Sequence, residues 1–175
     1  MRVTSMKQAL MYLSVALMTL PLGAIAQSSA PAPDQLSQDT VDVQHVMNAY
    51  HKAVETHDGA RLASLFVPQG GAWLNVLSDP AFAHMRVVKP GTTKIRVSSY
   101  QDFVKYVSQS KSHLDPQHDH LTIQSDGTIA TLYFDYVFMV DGKPTNKGSE
   151  TWQLVKGENG WRIATIIYSS NPVGV

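Results

Sequence analysis

Asp135 is the residue whose surroundings most favour acid–base chemistry. It stands among apolar residues in the middle of a predicted strand at 128–140. A carboxylate there must be paired or hydrogen-bonded, or else its pKa is raised, and a raised pKa suits a general base. Asp135 is therefore a candidate catalytic base. The alternative is a structural ion pair across the sheet or a subunit interface, for which the possible partners are Lys143, Lys147 and Arg162.

Tyr50 could supply the hydrogen-bond donor that such a base needs opposite it. It lies on the apolar stripe of a predicted helix, where its hydroxyl could point into a pocket, bind a ligand and stabilise a developing oxyanion. The alternative is a core tyrosine whose hydroxyl bonds to the backbone.

Four further residues are candidates for the wall of an apolar, aromatic-lined ligand pocket. Trp73 and Trp152 lie on predicted strands, and Phe103 is on the inward side of a predicted helix. Glu150 shares a strand face with Trp152, so it could flank the same pocket. The alternatives are ordinary core packing for the aromatic residues and a solvated edge position for Glu150.

The histidines do not predict a metal site. His118 and His120 would lie on one face of a strand, but no later His or Glu completes an obvious ligand set. His45, His51 and His57 are spaced by six residues, which is about 120° on a helix, so we predict them at the helix surface. We expect no metal and no other cofactor.

The elements that position these residues are predicted by turn and periodicity signals. Asp126-Gly127, Asp141-Gly142 and Asn159-Gly160 are strong hairpin signals, because these residues tolerate the positive φ of tight turns. They predict a C-terminal meander of four long antiparallel strands. Before it, apolar spacing predicts helices at 41–56, 59–66 and 100–109 and a short strand at 72–77. Residues 78–97 are predicted to form a loop with a short strand at 94–97, and residues 111–118, which are polar and contain Pro116, a second loop.

The strand at 128–140 is largely apolar on both faces. A sheet with one wet face should alternate apolar and polar residues, and three helices can cover only one face. A second subunit is the simplest cover for the other face, so we predict a homodimer through the sheet. The alternative is a protein-interaction module that docks a different chain on the same face.

The N-terminal segment predicts export. Arg2 and Lys7 precede an apolar run that ends in the small-x-small motif Ala24-Ile25-Ala26, which is typical of a cleaved signal peptide over 1–26. Residues 27–40 predict a flexible linker, and 41–175 a single domain. We expect a periplasmic or secreted protein without stable membrane insertion after cleavage.

Composition excludes two classes of function. The chain has no cysteine, so it has no thiol chemistry. Its formal charge is zero at pH 7, with 14 basic and 14 acidic residues and no basic cluster of the kind that nucleic acid requires.

The order of these elements resembles the nuclear transport factor 2-like (SnoaL-like) superfamily. The segment VMNAYHKAVETHDGARLASLF (46–66) is similar to the family's opening helices, and GWRIATIIYSS (160–170) to its closing strand. The resemblance implies an α+β, cone-shaped, cystatin-like fold with three helices on a curved antiparallel sheet, and an apolar pocket at the open end. It also implies frequent dimerisation through the sheet.

The same resemblance leaves several functions open, because the superfamily holds both enzymes and ligand binders. We expect a small-molecule-binding domain for an apolar or aromatic ligand. The alternative is a lyase or isomerase, similar to dehydratases, ketosteroid isomerases or polyketide cyclases, with a pocket carboxylate as base. Many related exported domains have a His in the last strand where this chain has Ile167, which argues against carrying over histidine chemistry.

Overall fold

The computed structural model describes residues 33–174, so the predicted signal peptide lies outside the described residues. The helices are α1 (Pro33–Glu55), α2 (Gly59–Ser64), α3 (Asp79–Val88) and α4 (Tyr100–Gln109). The strands are β1 (Trp73–Leu77), β2 (Ile95–Ser98), β3 (Leu114–Ser125), β4 (Ile129–Val140), β5 (Lys143–Gly157) and β6 (Gly160–Pro172). Among these helices none is long and apolar enough to cross a membrane.

The strands form one six-stranded sheet in the order β2-β1-β6-β5-β4-β3. All neighbours pair antiparallel except β1 and β6, which run parallel. The predicted meander is confirmed as β3 to β6. Its turns contain Gly127, Gly142 and Gly160, each with positive φ.

The core lies between one face of the sheet and the helices. Strand β4 alternates between buried and exposed residues, and its inward side chains include Leu132, Phe134 and Tyr136. Helix α1 contributes the opposing apolar stripe, which includes Val43, Met47, Tyr50 and Val54. Within the described residues, other elements therefore cover the inner face of β4 and leave its outer face exposed.

Two predicted helix starts are confirmed by their caps. Asp58 accepts a 2.8 Å hydrogen bond from the backbone amide of Arg61 at the start of α2. Ser99 accepts a 3.1 Å bond from the amide of Asp102 at the start of α4. Such caps satisfy backbone amides that have no partner within the helix.

Three segments differ from the sequence prediction. Residues 79–88 form helix α3, capped by Ser78 and carrying Pro80 in its first turn, so the described chain has four helices rather than three. Helix α1 already begins at Pro33, inside the predicted linker 27–40. Strand β3 includes Pro116, which an edge strand tolerates because it needs no amide bond on its free side.

Candidate functional site

A cavity of about 310 Å³ lies between the inner face of the sheet and helices α1 and α4. Most of its wall is aromatic and comes from five different elements, with the following rings: Tyr50, Trp73, Phe103, Tyr106, Tyr136, Phe138 and Tyr168. The remaining lining residues are Ser98, Asp102, Pro116, His118, Asn146 and Glu150. The cavity is thus an apolar chamber with a few polar groups.

Glu150 is the buried carboxyl group of this cavity. It points inward from β5 and is 9% exposed. Its Oε1 accepts a 2.7 Å hydrogen bond from the indole Nε1 of Trp152, whereas Oε2 has no hydrogen bond to another described residue. Burial raises the pKa of Glu150 to about 7, and the bond from Trp152 offsets only part of that rise. The group can therefore hold or release a proton near neutral pH.

A polar row crosses the sheet at the level of Glu150. Asn75 on β1 stands opposite Tyr168 on β6, and Tyr168 stands opposite Glu150 on β5. The side-chain amide of Asn75 donates a 3.0 Å hydrogen bond to the Tyr168 hydroxyl. Since that bond uses the hydroxyl oxygen as acceptor, the proton of Tyr168 is available to a ligand.

Tyr50 faces the same cavity from helix α1 and is 5% exposed. Its ring lies 5.9 Å from Phe103 in a stacked arrangement and 4.8 Å from Trp152 in an edge contact. Burial, with the nearby Glu150, raises the pKa of Tyr50 well above its ordinary value. Its hydroxyl therefore stays protonated, and it forms no side-chain hydrogen bond with another described residue.

Two histidines meet beside the cavity. The Nε2 atoms of His51 on α1 and His118 on β3 are 3.0 Å apart, and their rings stack with centroids 3.7 Å apart. Burial lowers the pKa of His51 to about 4 and that of His118 to about 3, with the proximity of His51 lowering the latter further. Both rings are therefore neutral at pH 7. The prediction that His51 lies at the helix surface is wrong.

The similarity of this chain to known proteins is found in its three-dimensional structure. No protein-family model and no curated protein matches the chain. A candidate scytalone dehydratase from Novosphingobium aromaticivorans superposes with a TM-score of 0.60 at 12% identity, covering 82% of this chain and 99% of that one. An NTF2-like protein with a cystatin-like fold from the same organism gives 0.57 at 14% identity, covering 81% and 86%. The chain has the nuclear transport factor 2-like (NTF2-like) fold.

A third solved structure agrees with this assignment. A candidate dehydratase of the NTF2-like family from Streptomyces avermitilis has a TM-score of 0.55 and 15% identity, and the match covers 79% of this chain and 99% of that one. The predicted resemblance and the α+β class are confirmed. The chemistry of those proteins does not transfer at such identities, because one fold carries many functions.

Asp135 lies outside the NTF2-like cone, so its prediction as a buried base in the cavity is wrong. Its side chain is 51% exposed on the outer face of β4. It accepts hydrogen bonds from Ser149 Oγ at 2.9 Å and from His120 Nδ1 at 3.1 Å. These bonds, that of Ser149 first, lower its pKa. The predicted partners among Lys143, Lys147 and Arg162 form no ion pair with it.

His118 and His120 do not share one face of β3. A bulge between Asp119 and Thr122 interrupts the alternation, and His120 adopts a φ of 53°. His118 therefore lines the cavity of the cone, while His120 lies outside beside Asp135. Within the described residues no group of three or more potential ligands could hold a metal ion.

The other predicted pocket residues fall into two groups. Trp73, Phe103 and Glu150 line the NTF2-like cavity. Trp152 is fully buried behind it, where it supports Tyr50 and Glu150 rather than contacting the chamber. The alternative of a solvated edge position for Glu150 is wrong.

Sequence reasoning missed Tyr136, Tyr168, Asn75 and His118 as residues of the site. For Tyr136 a signal existed, since it shares the period-two face of β4 with Leu132 and Phe134. For Asn75 and Tyr168 the signal depends on the parallel pairing of β1 with β6, which joins residues 93 positions apart.

Proposed function

We propose that the protein binds a small, largely apolar molecule in the cavity of its NTF2-like cone. The observation that carries this proposal is the aromatic chamber of about 310 Å³ with the carboxyl group of Glu150 in its wall. Ligand sites are typically concave and largely apolar, with a few polar groups and volumes of about 300–1,000 Å³. One oxygen of this carboxyl accepts a bond from Trp152, and the other is not bonded by a described residue, so a ligand can use it.

A direct test is calorimetric titration of the protein with 2-naphthol, a neutral aromatic probe that fits the chamber. Ser98→Trp should abolish binding, because the indole would occupy the mouth that Ser98 lines. Gln101→Trp is the matched control, since Gln101 is exposed on α4 and does not line the cavity. Equal binding by both variants would place the probe elsewhere and contradict the proposal.

Proton transfer at Glu150 is the second candidate function. A carboxyl group whose pKa is about 7 can take a proton from the carbon beside a carbonyl and return it to a neighbouring position. The hydroxyls of Tyr50 and Tyr168 could donate hydrogen bonds that stabilise the enolate oxygen that forms. This is the lyase or isomerase alternative, with Glu150 in the role first assigned to Asp135.

Hydrogen exchange with the solvent tests the catalytic candidate without a known substrate. The protein should accelerate deuterium incorporation at the α-carbon of 1-tetralone in heavy water, followed by NMR against a protein-free sample. Glu150→Gln should abolish the acceleration, whereas Asp135→Asn should retain it. Exchange that survives in Glu150→Gln would rule out this base.

The proposal also includes a homodimer that pairs the outer faces of two sheets. Neighbouring positions on these faces form a row from β2 to β4 that contains Val97, Leu74, Ile167, Thr151 and Tyr133. Val97 is 79% exposed, Tyr133 50% and Ile167 38%. An apolar row of this length is unfavourable in water and favours a covering partner. The alternative is that a different protein, rather than a second copy of this chain, binds to this face.

Export stays a prediction of the N-terminal sequence. Its check is N-terminal sequencing of the protein from the cell envelope of a Gram-negative host, where Gln27 should be the first residue.

A further inference from the structure

The charged groups around the cavity are of one sign. Glu150 and Asp102 both line it, and no lysine or arginine does among the described residues. Arg96 stands opposite Asn75 on the edge strand β2, but it is exposed and outside the lining. His118 is neutral at pH 7, because burial holds its pKa at about 3. The chamber therefore offers negative charge and no compensating cation.

Glu150 also has an oxygen that no protein group uses. The side chain is more than nine-tenths buried, and Oε1 is bonded to Trp152. Oε2 has no hydrogen bond within the described residues, although a buried carboxylate normally requires a charged or hydrogen-bonding partner. Since Glu150 lines the chamber, this oxygen is free to pair with a ligand that displaces water there.

The aromatic walls add a second attraction of the same kind. The faces of Tyr, Phe and Trp rings carry negative potential, and a cation within about 6 Å of a ring centroid is stabilised by it. Tyr50, Trp73, Phe103 and Tyr168 line the chamber from four elements, α1, β1, α4 and β6. Such an arrangement is suited to a positive group that sheds its water on entry.

We propose that the ligand of this cavity is an organic cation, a protonated or quaternary amine with an apolar body, whose positive group pairs with Glu150 between the aromatic rings. This inference rests on the proposed binding function and adds the ligand class. A carboxylate or phosphate ligand would meet Glu150 and Asp102 without a counter-charge. A neutral ligand would leave the carboxyl of Glu150 unpaired when it ionises.

Binding of the cation is linked to the proton on Glu150. The ionised carboxyl binds the cation, and its own pKa is about 7, so affinity should rise between pH 6 and pH 8. The other titratable groups that face the chamber are Asp102, His118 and the tyrosines. In this range His118 stays neutral because burial lowers its pKa, and the buried Tyr50 and Tyr136 stay protonated because their pKa values are raised. The pH dependence therefore reports Glu150.

The test compares two probes of the same shape that differ in charge. Phenyltrimethylammonium and its neutral isostere tert-butylbenzene are titrated into the protein at pH 8 and pH 6. We expect the cation to bind about tenfold more tightly at pH 8, on the scale of one ionic contact with the ionised carboxyl, and to lose most of this preference at pH 6. The isostere should bind equally at both pH values.

Two variants assign the preference to Glu150. Glu150→Gln keeps the size and the acceptor for Trp152 but removes the charge, so the cation should lose most of its preference over the isostere. Asp135→Asn removes a carboxylate on the outer face and should keep the full preference. Retention of the preference in Glu150→Gln would overturn the assignment. If this variant fails to fold, the titrations of the native chain with both probes at pH 8 and pH 6 still test the cation proposal.

The outcomes separate the two proposals. Equal or tighter binding of tert-butylbenzene at pH 8 would overturn the cation proposal and leave ligand binding standing. Binding of neither probe would overturn the cation proposal, and together with a negative 2-naphthol titration it would overturn ligand binding as well.

Discussion

The indole of Trp152 donates a 2.7 Å hydrogen bond to the carboxyl of Glu150, two residues earlier on the same strand face. Side chains at i and i+2 of a strand point to the same side, so the pair forms within β5 itself. Trp152 is fully buried and holds Oε1, which leaves Oε2 for the chamber. This pair anchors the polar part of an otherwise aromatic cavity.

Glu150→Gln should change the pH dependence of folding stability. The carboxyl has a pKa of about 7 in the folded protein and an ordinary value of 4.5, so the native state binds more protons between these pH values. Stability contributed by this group therefore falls as pH rises through the window, by about 3 kcal/mol in total. The variant lacks this loss. Urea unfolding at pH 5 and pH 8 gives the free energy of unfolding of the native chain and of the variant. An equal change between the two pH values in both proteins would contradict the raised pKa.

His118→Phe should make the protein more resistant to acid. The pKa of His118 is lowered to about 3 and that of His51 to about 4, from 6.5, so the unfolded state binds more protons below pH 6.5. Stability is lost as pH falls, and replacing one imidazole with an apolar ring removes part of the loss. Fluorescence-detected acid unfolding should show a lower midpoint pH. His45→Gln, on the exposed side of α1, should leave the midpoint unchanged.

Ile167→Lys should dissociate the proposed dimer. The residue lies in the middle of the exposed apolar row, where a lysine would place a like charge against its copy or bury it without a partner. Sedimentation velocity at micromolar concentration should show a dimer for the native chain and a monomer for the variant. Val88→Lys is the control, because Val88 is 63% exposed on α3 and outside the row. A native monomer would refute the dimer.

Gly148→Ala should destabilise the fold by about 1–3 kcal/mol, the usual cost of overpacking. A methyl group at Gly148 would lie 2.2 Å from the backbone oxygen of Ser169, so the strands β5 and β6 must separate. At Gly157 on the same strand, an added methyl group would lie 3.8 Å from its nearest atom. Gly157→Ala should therefore leave the free energy of unfolding nearly unchanged or raise it. Urea unfolding compares the two, and equal effects would show that the close approach is unimportant.

Much of the fold was predictable because its signals are local. The Asp-Gly and Asn-Gly turns, the caps at Asp58 and Ser99 and the alternation along β4 depend on residues within a few positions of one another. Helix α3 was missed although Ser78 and Pro80 mark its start. Its ten residues include no buried position, so the apolar periodicity that identifies most helices is weak there.

Strand periodicity by itself determined which residues share a face: Phe134 with Tyr136, Asp135 with Tyr133, and Glu150 with Trp152. Only the tertiary structure decided which face is inside, because period two is symmetric between the two sides and both sides of β4 are apolar. That choice turned Asp135 outward to Ser149 and His120, and it turned Glu150 inward. The contact of His51 with His118, 67 positions away, likewise arises when α1 packs across the sheet. Such pairings depend on how distant elements pack, whereas the turns and caps depend on the chain within a few residues.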